Sequence, residues 1–232
     1  MDHLYDKKFN CPICKESYTS KKVRSKFIKS ISHDSDFCTH YLSADANPLL
    51  YYVNVCPTCG YSSSEEFSIY FKPGTIEQIE SKIMNHWQGK NYGEKRTVDL
   101  AINSYKLAIF TGILKKETPI VLAGLYLRLA WIYRTLLVDE LQEKRFMKLA
   151  LEQYIDSYSI GDYLEKDLTE LRLLYLIGEL YTRLDQFNQA IKYFSLVVQH
   201  KESRFESRIV EKARNRWYEI REMQKSQKQA TS

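Results

Sequence analysis

From Thr75 onward, apolar residues return every three to four positions, the period of helices that bury one face. Breaks in this pattern carry helix-start signals. Thr75-Ile76-Glu77-Gln78 has the form of a capping box just after Pro73-Gly74, and Ser203-Arg204-Phe205-Glu206 repeats that form before the last helix. Thr118-Pro119 joins an N-cap residue to proline at the first helical position. Before Thr75 the texture changes. Leu49 to Val55 is a β-rich run behind the turn dipeptide Asn47-Pro48, and Lys22 to Ile31 alternates weakly enough to supply a partner strand. The expected fold is therefore mainly α: a small β module over residues 1–72, then a helical domain over 73–232.

The helical part also repeats itself. Leu174-x2-Ile177-Gly178-x2-Tyr181 followed by Ala190-x3-Phe194-x2-Val197 resembles a tetratricopeptide (TPR) repeat, in which small residues let two helices approach and large rings fill the space beside them. Tyr126-x2-Leu129-Ala130-x2-Tyr133 with Ala150-x3-Tyr154 is a looser copy. Ala101-x3-Tyr105-x2-Ala108 matches a second helix whose partner would be Ile76 to Trp87. A last helix from about Phe205 to Gln224, with Ile209, Ala213, Trp217 and Ile220 facing inward, reads as the cap of a TPR-like α-helical repeat array. Tyr126, Tyr133, Tyr154, Tyr181, Phe194 and Trp217 are its expected core aromatics.

Composition adds little to this. The chain is 44% hydrophobic and 27% charged, which excludes wholesale disorder, and only 8 Gly and 5 Pro favour helices over a turn-rich β fold. The net charge of +5 permits an anionic partner without demanding one. The opening residues are polar and lack the apolar region of a signal peptide, so a cytoplasmic location is expected. Ile120 to Val138 is apolar but carries Arg128 and Arg134, and a buried helix explains it better than a membrane span.

The cysteines change the picture. Five occur, all before residue 60, and four form two CPxC pairs, Cys11/Cys14 and Cys56/Cys59. Two thiolates three positions apart face one ion when the chain turns tightly between them, and Gly60 supplies the positive φ that often follows such a turn. Two such pairs make the closed four-sulfur set that tetrahedral Zn²⁺ prefers, so one structural zinc in a zinc-ribbon-like module is expected. An odd count argues against a disulfide framework, and no βαβ pattern accompanies either pair as a redox motif would require.

Two further groups stand between the pairs. Asp34, Asp36, Cys38 and His40 form a candidate second polar site; the same residues also suit an Asp/Ser-rich loop that caps its own backbone. Lys21, Lys22, Arg24 and Lys26, near Tyr18 and Phe27, are a candidate anion-binding group on a basic hairpin extending to Lys29.

Cys11-Pro-Ile-Cys14, Lys21-Lys-Val-Arg24, Asp34-Ser-Asp-Phe37, Asn47-Pro48, Val55-Cys-Pro-Thr-Cys-Gly-Tyr61 and Ala213-Arg-Asn-Arg-Trp217 together resemble an uncharacterised bacterial family, common in Gram-positive and related bacteria. Its members join a CPxC…CPxCGY module to TPR-like helices. The resemblance implies a bacterial cytoplasmic protein and brings no activity with it. No phosphate-binding glycine loop, HExxH or nucleophile elbow is present. The expectation is a non-enzymatic zinc-binding adaptor for a protein or peptide, with nucleic-acid binding by the basic hairpin as the alternative and an enzyme built on the Asp34–His40 loop behind both.

Overall fold

A computed structural model describes residues 2–166 and 168–230. By internal packing the chain divides into two units, Met1–Phe146 and Met147–Ser232. The fold is mainly helical, with small antiparallel strands confined to the N-terminal region.

The first unit begins with a hairpin of β1 (Leu4–Asn10) and β2 (Ser17–Val23), in which Leu4 faces Val23 and Asn10 faces Ser17. A second hairpin pairs β3 (Ser30–His33) with β4 (Thr39–Tyr41), its register shifting between Ser30 and Ser32. A third joins β5 (Asn54–Val55) to β6 (Ser62–Ser63). Then come α1 (Thr75–Lys82), α2 (Val98–Lys115), α3 (Pro119–Ile132), a π-helical turn over Tyr133–Leu137, and α4 (Glu140–Ile160). The division between the units falls inside α4.

The long strand expected over Leu49 to Val55 is not formed, and Lys22 to Ile31 is not its partner. Pro48–Tyr51 is a 3-10 turn capped by the Asn47 side chain, which accepts from the Leu49 N–H at 2.9 Å. A buried backbone must pair its carbonyls, and a strand ladder is only one way to do so. Here side chains do it. The Tyr105 hydroxyl donates to Leu49 O, Arg96 Nη1 to Leu50 O and Val53 O, and Lys22 Nζ to Tyr51 O, at 2.8–3.1 Å.

The helix-start signals fared unevenly. α3 starts at Pro119 behind Thr118, as expected. α1 does start at Thr75, but its cap is Gly74 at φ +77°, and the Thr75 hydroxyl donates backwards to Lys72 O at 2.6 Å instead of forming a capping box. Residues 201–206 are a run of turns, and Glu206 binds Arg172 at 2.8 Å.

α1 and α2 pack on the cysteine module. Ile79 of α1 and Ile83, which caps its C-terminus, are buried together with Cys11, Cys56, Cys59 and Tyr61, and Leu114 of α2 packs against the same cluster. A cysteine module this small has one apolar face to bury, and α1 and α2 cover it. Both helices therefore belong with the first unit. Lys115 at the end of α2 fastens the connecting loop, donating to Ser68 O at 2.6 Å and pairing with buried Glu117.

α3 and the π-helical turn together, Pro119–Leu137, are long and apolar enough to cross a membrane, with a mean hydropathy of 1.4; half of the segment is buried inside the protein.

In the second unit, α5 (Glu170–Arg183) and α6 (Phe187–Gln199) form an antiparallel pair followed by α7 (Ser207–Ala230). Glu179 of α5 is fully buried and accepts from Arg216 of α7 at 2.8 Å. Tyr154 and Phe194 are buried here and Tyr133 in the first unit, while Tyr126, Tyr181 and Trp217 are half-buried. Along α7, Ile209, Ala213 and Ile220 are the buried stripe.

The α5–α6 pair has the close approach that its small residues suggested. A Cβ on Gly178 would lie 2.7 Å from the Phe194 ring. Gly178→Ala is thus expected to destabilise the second unit by about 1–2 kcal/mol, because overpacking costs ~1–3 kcal/mol and the better helix propensity of alanine returns up to ~1. A lower urea midpoint for the second unit, with an unchanged slope, is the measurement. A midpoint at or above that of the wild type would show that Phe194 yields without cost.

Candidate metal centre

Each CPxC pair sits at the tip of a hairpin, the first between β1 and β2, the second between β5 and β6. The two tips are built alike. Cys11 N–H donates to Glu16 O and Lys15 N–H to Cys11 O; Cys56 N–H donates to Tyr61 O and Gly60 N–H to Cys56 O, all at 2.9–3.0 Å. The residue after each second cysteine takes a positive φ, Lys15 at 65° and Gly60 at 75°.

Glycine is needed only in the second knuckle, and for two reasons. A Cβ on Gly60 would lie 2.4 Å from the Trp87 ring, in addition to its backbone strain. Trp87 lies over this knuckle and donates from Nε1 to Pro57 O at 2.7 Å. Its role was not legible in the sequence, which placed it at the end of a repeat helix running from Ile76. In the structure α1 ends at Lys82, and Trp87 follows a separate 3-10 turn, Met84–His86.

The four sulfurs converge. Cys11 and Cys59 are 3.5 Å apart, Cys14 and Cys56 are 3.6 Å apart, and all four lie within 4.8 Å of one another. A tetrahedron with Zn–S bonds of ~2.3 Å has edges of ~3.8 Å, so the set is close to the size one zinc ion requires. Cys11, Cys56 and Cys59 are buried, and Cys14 is half-buried. Protons compete for so compact a group. Cys11, bonded to Cys59, is brought down to about 5, whereas burial pushes Cys56 up to about 11. A bound cation would hold all four as thiolates and release their protons on binding.

Cys38 and His40 take no part in this set. They form a second group with Asp34, whose ligand atoms also lie within 4.8 Å of one another. His40 Nε2 is 2.9 Å from Asp34 Oδ1. The fourth candidate, Asp36, is drawn elsewhere. It is fully buried, forms a two-pronged ion pair with Arg134 at 2.7 and 2.9 Å, and accepts from Trp131 Nε1 at 3.2 Å. Arg134 also binds Asp34 Oδ2 at 2.8 Å and Glu143 at 2.7 Å. Burial pushes the Asp34 carboxyl up, but hydrogen bonds from His40 and Arg134 outweigh it and leave it below its ordinary range. Arg134 was read in the sequence only as a charge unsuited to a membrane. Here it is the anchor of the loop.

The basic candidates are largely occupied within the protein. Lys21 pairs with Asp6 at 2.9 Å. Lys22 points inward to the Tyr51 carbonyl, and its burial lowers it to about 8. Arg24 lies over Tyr5 and Lys26 over Phe27, at 5.4 and 5.2 Å from the ring centroids.

The chain belongs to a bacterial family described as "Uncharacterized protein conserved in bacteria (DUF2225)", whose model matches residues 4–220. No curated protein matches it, and no solved structure does.

Proposed function

We propose that this chain is a non-enzymatic cytoplasmic adaptor, stapled by one structural zinc, that holds a protein or peptide through TPR-like helices of its second unit. The observation that carries this reading is a cleft of about 260 Å³ between α6 and α7, lined by Ser195, Val198, Gln199, Arg214, Trp217 and Tyr218. That volume is below the ~300–1,000 Å³ of sites that enclose a metabolite, and it suits one or two side chains of a bound peptide. Tryptophan, tyrosine and arginine are the residues that most often dominate binding energy at protein interfaces. The close α5–α6 pair and the capping position of α7 support the repeat reading. The closed four-sulfur set supports a structural role for the zinc, since it leaves no coordination position for a substrate.

The test is crosslinking and recovery of the full chain in its native host, comparing the wild type with Trp217→Ala and Arg214→Glu. The reading expects a reproducible protein partner that both variants lose while keeping their fold by circular dichroism. If no partner is recovered, or if both variants retain it, the reading fails. The alternative, nucleic-acid binding through Lys21 to Lys29, draws support from Arg24 and Lys26 lying over aromatic rings. It is weakened by the internal bonds of Lys21 and Lys22. Filter binding across salt concentrations separates the two, because phosphate contacts weaken steeply with salt.

A further inference from the structure

We infer that Asp34, Cys38 and His40 form a second metal site for a borderline divalent transition ion such as Zn²⁺, distinct from the four-cysteine set and independent of the adaptor reading. Two local features bring the ligands together. Cys38 immediately precedes β4 and His40 lies within it, two positions on, the spacing at which an extended chain returns side chains to the same face. The turn before them is tight: Asp34 N–H donates to Cys38 O at 2.8 Å and Phe37 N–H to Asp34 O at 3.1 Å, with Phe37 at φ +67°. This turn sets Asp34 beside Cys38. A bulky residue held at positive φ is costly and persists only where its surroundings impose it.

The chemistry of the trio fits a metal better than it fits a simple loop cap. One thiol, one imidazole and one carboxylate converge with their ligand atoms within 4.8 Å of one another. His40 Nε2 and Asp34 Oδ1, 2.9 Å apart, are near the ~3.3 Å that two ligands at ~2.0 Å from one tetrahedral ion would show. Cys38 is fully buried, while Asp34 and His40 are partly open to solvent, which supplies a path of entry. The outer shell is in place as well. Arg134 holds the other oxygen of Asp34 at 2.8 Å, and Arg134 is itself fixed by Asp36 and Glu143. Oriented carboxylates of this kind are how proteins aim their metal ligands. A mixed sulfur, nitrogen and oxygen set selects zinc or cobalt over magnesium or calcium, which prefer all-oxygen shells. Three protein ligands leave a fourth position for water or an exogenous donor, which the four-cysteine set does not.

The experiment is metal stoichiometry on the untagged full chain, loaded with Zn²⁺ under reducing conditions and cleared of loose metal by gel filtration. The wild type is expected to hold two equivalents. Cys38→Ala and His40→Gln are each expected to hold one, and retention of that one shows that the first unit remains folded. Loading with Co²⁺ gives an independent reading: the sulfur-to-metal charge-transfer absorbance should fall by roughly one-fifth in Cys38→Ala, because one of five thiolates is lost. His40→Gln, whose side chain is partly open to solvent, guards against a folding failure in the buried Cys38 variant. A wild type that saturates at one equivalent overturns the inference. So does a second equivalent that survives both substitutions.

Discussion

Removing the metal from the four-cysteine site is expected to unfold more than the two hairpins that carry it. Cys11, Cys56 and Cys59 are buried with Ile79 and Ile83, so an ion held by the four sulfurs would stand within the core that α1 covers. Trp87 adds a second tie, from beyond α1 to the second knuckle. A structural zinc contributes an apparent ~10–16 kcal/mol at neutral pH, as much as the whole stability of a typical domain at ~5–15 kcal/mol. Without it, four thiols crowd an apolar cluster that has lost its centre. Chelation under reducing conditions should therefore raise amide exchange throughout β1, β2, β5, β6 and α1 by orders of magnitude. The amides of α5 and α6 should keep their protection, and added zinc should restore the rest. Metal retention should also fall as the pH is lowered, since protons compete for the same sulfurs. Continued protection of α1 in the metal-free protein would reduce the ion to a local clip, and unchanged exchange everywhere would remove its structural role.

The second large effect is expected at Arg96. Its guanidinium is buried and donates to Tyr92 O at 2.7 Å, Val53 O at 2.8 Å and Leu50 O at 3.1 Å, with longer bonds to Ser20 and Ser104. Every one of these acceptors is neutral. Burial lowers its pKa to about 10, so it remains charged at neutral pH and is solvated by backbone carbonyls. Arg96→Ala strands three carbonyls at ~1–3 kcal/mol each and opens a cavity beneath the Pro48–Tyr51 turn, for a loss on the order of 5 kcal/mol. Arg96→Lys should rescue little, because one ammonium cannot reproduce the planar fork that reaches Tyr92 O through Nε while Nη1 holds Leu50 O and Val53 O. Urea unfolding of the first unit measures both variants. A loss under about 1 kcal/mol for Arg96→Ala would mean that water replaces the guanidinium without penalty.

What could be read in the sequence was what depends on spacing. The CPxC pairs declare themselves because two thiolates on one turn need that separation, and the structure brings all four sulfurs together. The close approach of α5 and α6 was legible because the small residues Gly178 and Ala190 recur beside large rings at helical spacing, and the structure sets the Phe194 ring against Gly178. The segment from Leu49 to Val55 was misread for a physical reason. Its β-rich composition reports burial, and burial needs paired carbonyls without saying what pairs them. Tyr105, Arg96 and Lys22 perform that task from distant positions, and no local pattern announces a side chain that will reach across the fold. Arg134 is the same case in the Asp34–His40 loop. The place of α1 was hidden too, since its apolar face looks the same whether it covers a repeat helix or a cysteine cluster.

The two knuckles also bear on the order of events as the chain folds. Each is closed by backbone bonds spanning at most five residues, so a two-thiolate half-site forms with its own hairpin. About forty residues separate the halves, and joining them costs roughly 3 kcal/mol of loop entropy before any core contact repays it. An ion held by one half would act as a tether that captures the other on encounter. The rate at which this unit matures would then follow metal supply, while the α5–α6 pair, joined by a short turn, would proceed at its own pace.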